Sequence, residues 1–150
     1  MGMAMGRRSG KGGEGRKKQN RAGASVRPKR VPKMSEVLAD VAEPLLDRLQ
    51  LPENEEEYRI GLLLAAAVWN ASTFETERQR RQALAEAKKV GDVRVPEDLA
   101  TLCDRVYERA RSRYPDETRA IAAADLVRES RSRYRINVAS AGSWREIVEL

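Results

Sequence analysis

Read for the spacing of its apolar positions, the chain changes character once, near residue 34. From Met1 to Lys33 there is neither a helical nor a strand period. Val26 and Val31 are the only branched aliphatics among Gly, Arg, Lys, Ser and Ala. Such a segment buries too little apolar surface to offset its ordering entropy, and repulsion among Arg16, Lys17, Lys18 and Arg21 extends it further. The expectation is a disordered tail over residues 1–33 and one compact domain over residues 34–150.

Helical periods then follow. Ser35 is a suitable N-cap with Glu36 in the first turn, and Val37, Leu38, Val41, Leu45, Leu46 and Leu49 fall close to one face. Pro44 interrupts that face, so a kink or two short helices is expected there. Pro52 leads into Glu53–Glu57, an acidic first turn that suits a helix N-terminus. Tyr58 to Trp69 is apolar on nearly all sides, the profile of a central helix covered by its neighbours. A third helix, about Glu75 to Val90, places Leu84, Ala87 and Val90 on one face and pairs Glu77 with Arg81, with Gly91 as its stop. Pro96 opens a fourth, with Glu97 and Asp98 in its first turn. Its stripe of Leu99, Leu102, Val106 and Ala110 ends before Pro115.

Beyond Asp116 two periods compete. Thr118–Val127 is alanine-rich and suits a helix by propensity. Tyr134, Ile136 and Val138 instead alternate with Arg133, Arg135 and Asn137, as in a half-buried strand. That strand needs a partner for its backbone groups; Arg119–Val127 is the nearest, across a Glu129–Ser132 loop. A hairpin is favoured, followed by a short helix carrying Trp144, Ile147, Val148 and Leu150. The expected fold class is α+β: a small, mostly helical domain of four to five helices with a C-terminal β-hairpin, preceded by a disordered basic N-terminal tail.

Charge sharpens the division. Residues 1–33 carry 11 Lys/Arg against Glu14 alone, whereas residues 34–150 carry 18 Lys/Arg against 22 Asp/Glu. The sequence pI of about 9.8 therefore belongs to the tail, and the domain is mildly acidic. With no histidine and a single cysteine, Cys103, the chain can close no intramolecular disulfide and supplies no His/Cys zinc site. The longest apolar run, Ile60 to Trp69, is too short to span a bilayer, and no apolar stretch follows the basic N-terminus as in a secretory signal. A cytoplasmic protein without membrane contact is expected.

Four short stretches carry a resemblance: Met34-Ser-Glu-Val-Leu, Ala-Ala-Val-Trp69-Asn70, Arg113-Tyr-Pro-Asp-Glu117 and Asn137-Val-Ala-Ser140. In that order they resemble a small bacterial family with no assigned activity, in which an alanine-rich helical region with Trp-Asn precedes a C-terminal hairpin. Some of its members are associated with a SEC-C zinc motif. Gly12-Gly-Glu-Gly-Arg-Lys-Lys18 is similar to part of that motif but lacks every cysteine ligand, so the resemblance implies the hairpin and no zinc site.

The strongest chemical signal is the tail. Arg7, Arg8, Lys11, Arg16, Lys17, Lys18, Arg21, Arg27, Lys29, Arg30 and Lys33 on a flexible arm favour RNA or DNA through counterion release. The tail has no aromatic residue to stack on bases, so contact would be non-specific. The plainer readings are a passive extension, or a chain that truly starts at Met34. Arg-Ser-Arg-Tyr occurs twice, at Arg111–Tyr114 and Arg131–Tyr134. Were the fourth helix and the hairpin to lie side by side, the two copies would form one patch for phosphate and base contact; chance repetition in an arginine-rich chain is the plainer account.

Other motifs fall away. Gly10-Lys11-Gly12-Gly13 lacks phosphate-loop spacing, and Gly2 lacks the Ser or Thr that myristoylation wants at position six. Cys103 has no histidine to activate it and reads as a buried thiol. The Asn70-Ala-Ser72 sequon has no secretory context. Glu53, Glu55, Glu56 and Glu57 project around a helix axis and do not converge as an acid–base pair. No catalytic, cofactor or metal residue is assigned. The expected function is a non-enzymatic module whose tail touches nucleic acid. The alternative is a protein–protein interaction domain using its acidic helical surface or an edge of the hairpin.

Overall fold

The computed structural model describes residues 31–142. The expectations for residues 1–30, and for a closing helix through Trp144–Leu150, lie outside them. Among the described residues, the chain from Pro32 onward is the α+β domain expected: five helices and a C-terminal antiparallel strand pair.

Helix α1 (Met34–Val41) buries Met34, Val37, Leu38 and Val41, the i, i+3, i+4, i+7 set of one face. Its cap is the Lys33 backbone, whose carbonyl accepts from the Glu36 and Val37 N–H groups at 3.0 Å each. Ser35 therefore sits inside the first turn and is not the cap. The break expected at Pro44 falls at Ala42, and Pro44 occupies the opening turn of α2 (Glu43–Leu46), where its missing N–H costs nothing. Leu45 and Leu46 complete the stripe.

Helix α3 (Glu55–Ser72) starts later than Pro52 suggests, with Asn54 as its N-cap. Leu62, Leu64, Ala65, Ala66, Val68 and Trp69 are buried, and the helix touches the four other described helices together with the strand Ala120–Arg128. It is central but not fully covered. Ile60 and Leu63 are 55% and 58% exposed.

Helix α4 (Glu77–Ala87) buries no residue completely; Leu84 and Ala87 are half-buried. A reciprocal capping box opens it, with Gln79 N–H donating to Thr76 Oγ1 at 3.1 Å and Thr76 N–H to Gln79 Oε1 at 3.2 Å. The helix does not run to Val90. Lys89–Val90 (β1) pairs antiparallel with Val93–Arg94 (β2), and Gly91, at φ +64°, makes the turn. The left-handed residue was correctly placed, but it serves a hairpin: β-branched Val90 and Val93 flank a Gly-Asp turn, a strand signal that overrides the helical spacing.

Helix α5 (Glu97–Arg113) is capped at Pro96. Its buried stripe is Ala100, Cys103, Val106 and Ala110. Val106 and Ala110 are buried as expected, while Ala100 and Cys103 take the places expected for Leu99 and Leu102, which flank the stripe half-buried.

The alanine-rich segment is a strand. β3 (Ala120–Arg128) pairs with β4 (Tyr134–Ala141) in the register Ala124↔Val138, Leu126↔Ile136 and Arg128↔Tyr134. One residue, Ala122, is left over where the register shifts between Ile121 and Ala123. The inward side chains of β4, Tyr134, Ile136 and Val138, are half-buried against the core.

Candidate functional site

Two consecutive residues near the end of α3, Trp69 and Asn70, carry side-chain hydrogen bonds from the core to the segment opening the hairpin. The apolar helix brings both under β3. Trp69 is 1% exposed and donates from Nε1 to the Arg119 carbonyl at 2.8 Å; its ring meets Tyr114 edge-on, with centroids 5.8 Å apart. Asn70 bonds Ile121 twice: its Nδ2 donates to the Ile121 carbonyl at 2.9 Å, and its Oδ1 accepts from the Ile121 N–H at 2.7 Å. The side-chain amide thus stands in for a neighbouring strand immediately before the Ala122 bulge. It satisfies two backbone groups that burial would otherwise leave unpaired. The signal in the sequence was a polar residue adjoining tryptophan at the end of an apolar helix. The same bonds dispose of the glycosylation sequon, since Asn70 and Ser72 are buried and the Ser72 hydroxyl donates to the Trp69 carbonyl at 2.6 Å.

A second polar centre ties α1 to the end of α5. Asp40 accepts from Arg109 Nη2 at 3.0 Å and from the Tyr114 hydroxyl at 2.7 Å, and also from Arg113. Arg109 Nε donates to the Asp40 carbonyl at 3.1 Å. Burial opposes ionisation of Asp40, but the Tyr114 hydrogen bond and the two guanidinium groups outweigh it and hold the carboxyl below its usual range. Burial, reinforced by the bond to Asp40, pushes the Tyr114 phenol up to about 12. The adjoining cleft, about 550 Å³, is lined by residues of both signs that include Glu43, Asp47, Arg105 and Arg109. Arg109 and Arg113 are already committed to Asp40, so this centre acts as a clasp between helices.

The two Arg-Ser-Arg-Tyr copies do not meet. Tyr114 lies against Trp69, whereas the Tyr134 hydroxyl donates to Glu55 Oε1 at 3.1 Å. Fourteen helical residues separate these anchors, about 21 Å at 1.5 Å per residue. The copies therefore mark opposite ends of α3.

Of the tail residues assigned to nucleic acid, Lys33 alone is described: it is exposed at the start of α1. The other ten, Arg7 to Arg30, lie outside the described residues. Cys103 is fully buried, and burial raises its pKa, the opposite of what an attacking thiolate needs. Among the acids at the start of α3, Glu55 is bound to Arg59 at 3.1 Å and to Tyr134, while Glu53, Glu56 and Glu57 are exposed. Among the described residues no group of three or more His, Cys, Asp or Glu is disposed to hold a metal ion, and no helix is long and apolar enough to cross a membrane.

The polar groups with the strongest internal bonding join helices to strands or to one another. That pattern defines a helical α+β domain whose buried polar side chains, Asn70 and Ser72, are engaged in the fold. No family model, curated protein or solved structure matches the chain.

Proposed function

We propose that the protein is a non-enzymatic module, acting in the cytoplasm, whose basic N-terminal segment contacts RNA or DNA without sequence preference. The observation that carries the reading is the charge partition. Eleven Lys/Arg and one acid occupy residues 1–33, while the remaining residues have more acids than bases. Each tail cation placed beside a phosphate releases a condensed counterion, and the acidic domain adds no general attraction of its own. The engagement of Trp69, Asn70, Asp40 and Tyr114 in structural bonds supports the non-catalytic part. The test compares the full chain with a full-length variant in which the ten Lys/Arg from Arg7 to Arg30 are changed to Gln. Binding to a generic RNA and a duplex DNA is followed across a salt series. Loss of affinity and of the salt slope in the variant supports the reading; unchanged binding, or none by either chain, sinks it.

One observation favours a second reading, a protein–protein interaction domain. Ile60, Leu63 and Ala67 form an exposed stripe on α3, beside a groove of about 480 Å³ lined by Ala67, Ala71, Phe74, Ala83 and Ala87 among others. The hairpin edge is a weaker candidate on its β3 side. There Asn70 takes both backbone groups of Ile121, and the Leu126 N–H donates to Asp125 Oδ1 at 2.8 Å. This reading predicts that changing Ile60 and Leu63 to Glu releases partners that co-purify with the intact chain; partners that stay bound rule the stripe out.

A further inference from the structure

We infer that the turn joining β3 to β4 is a second nucleic-acid contact, a preorganised tip that offers Arg131 and Arg133 to backbone phosphates; this rests on the nucleic-acid reading above. Residues 128–135 hold four arginines and a single acid, Glu129, within a domain that is acidic as a whole.

Two of those arginines shape the tip. Arg128 donates from Nε to the Ser130 carbonyl at 3.3 Å and from Nη2 to the Arg131 carbonyl at 3.1 Å. Its guanidinium carbon lies 5.6 Å from the centre of the Tyr134 ring. Arg135 pairs with Glu129 at 3.2 Å, which neutralises the only acid in the segment. The backbone closes the turn: Glu129 N–H donates to the Arg133 carbonyl at 2.8 Å, and the Arg133 N–H returns to the Ser130 carbonyl at 3.4 Å. The bond from Tyr134 to Glu55 fastens the base of the turn to α3.

What remains is Arg131 and Arg133, both exposed. Among the described residues neither side chain makes a hydrogen bond or an ion pair. Guanidinium groups present paired donors that fit phosphate oxygens, and a turn already held by its own bonds has less freedom to lose on binding. Tyr134 is faced by Arg128 and its hydroxyl is engaged. Recognition is therefore of phosphate and not of base identity.

The experiment uses four full-length chains: the wild type, the tail variant described above, Arg131→Gln/Arg133→Gln, and Arg48→Gln/Arg78→Gln. The last removes equal charge at exposed positions away from the tip. Duplex DNA binding is measured across a salt series, with thermal unfolding as the folding check. Loss of two phosphate contacts lowers the magnitude of the log–log salt slope by about 1.8 in the tip variant, and the Arg48/Arg78 variant keeps the wild-type slope. An unchanged slope in the tip variant, or an equal fall in both double variants, overturns the inference. If the tip variant alone is unaffected while the tail variant loses binding, the tip fails and the tail stands. If the tail variant binds as the wild type does, the tail reading fails instead.

Discussion

At the scale of single residues, the domain depends on a few polar side chains placed where backbone groups would otherwise go unpaired. Asn70 is the clearest case, since its amide satisfies both the N–H and the C=O of Ile121. Asn70→Ala removes both partners at once. Two buried groups left unsatisfied predict a loss of roughly 2–4 kcal/mol in denaturant unfolding; a change within about 0.5 kcal/mol, the range of ordinary surface substitutions, would show that the bonds carry no weight. Asp40 makes a pH prediction. Its folded pKa lies below the unfolded value near 3.8, so the unfolded chain holds that proton more readily at low pH. The stabilisation is present above the unfolded pKa and is lost as pH falls through the lowered folded value. Thermal unfolding of wild type and Asp40→Asn should therefore converge as pH drops from about 5 toward the acid limit. A gap that stays constant over that range contradicts the assignment.

At the scale of elements, each helix was legible where one period ran uninterrupted and misread where a second signal intervened. The Met34–Leu46 stripe, the Pro44 break and the helix after Pro96 follow from apolar spacing and proline geometry. Val90 fits the helical face of α4 as well as it fits a strand, and the Val-Gly-Asp-Val sequence is what resolves it. The hairpin was legible in the alternation of Tyr134, Ile136 and Val138, although Ala120–Ala124 has helical propensity; strand pairing and burial against α3 override it. The joining bonds were not legible. Asn70 and Ile121 lie 51 positions apart and Asp40 and Tyr114 lie 74 apart, and no local period reports a contact at that separation. The exposed stripe of α3 was hidden for the opposite reason, because composition records that Ile60 and Leu63 are apolar and not that they are uncovered. Changing both to Glu should leave stability within about 1 kcal/mol, as befits exposed positions, so any released partner reports on recognition and not on unfolding. A larger loss in unfolding experiments would mean that the stripe is part of the core.

At the scale of the whole molecule, charge divides the sequence at residue 33. The domain engages Trp69, Asn70 and the Asp40 cluster in its own cohesion. Eleven of the 29 Lys/Arg lie in residues 1–33, and within the domain the hairpin tip sets Arg131 and Arg133 two positions apart on one turn, both exposed. The tail proposal rests on the charge of the sequence alone, while the tip emerged only once Arg128 and Arg135 were seen to be engaged internally. The most direct measurement is the salt dependence of duplex DNA binding by the full chain and by the variant with the ten Lys/Arg from Arg7 to Arg30 changed to Gln. A steep negative slope is expected for the full chain and largely disappears in the variant, because counterion release scales with the phosphates neutralised. Equal slopes for the two chains, or no binding by the full chain at low salt, would contradict it.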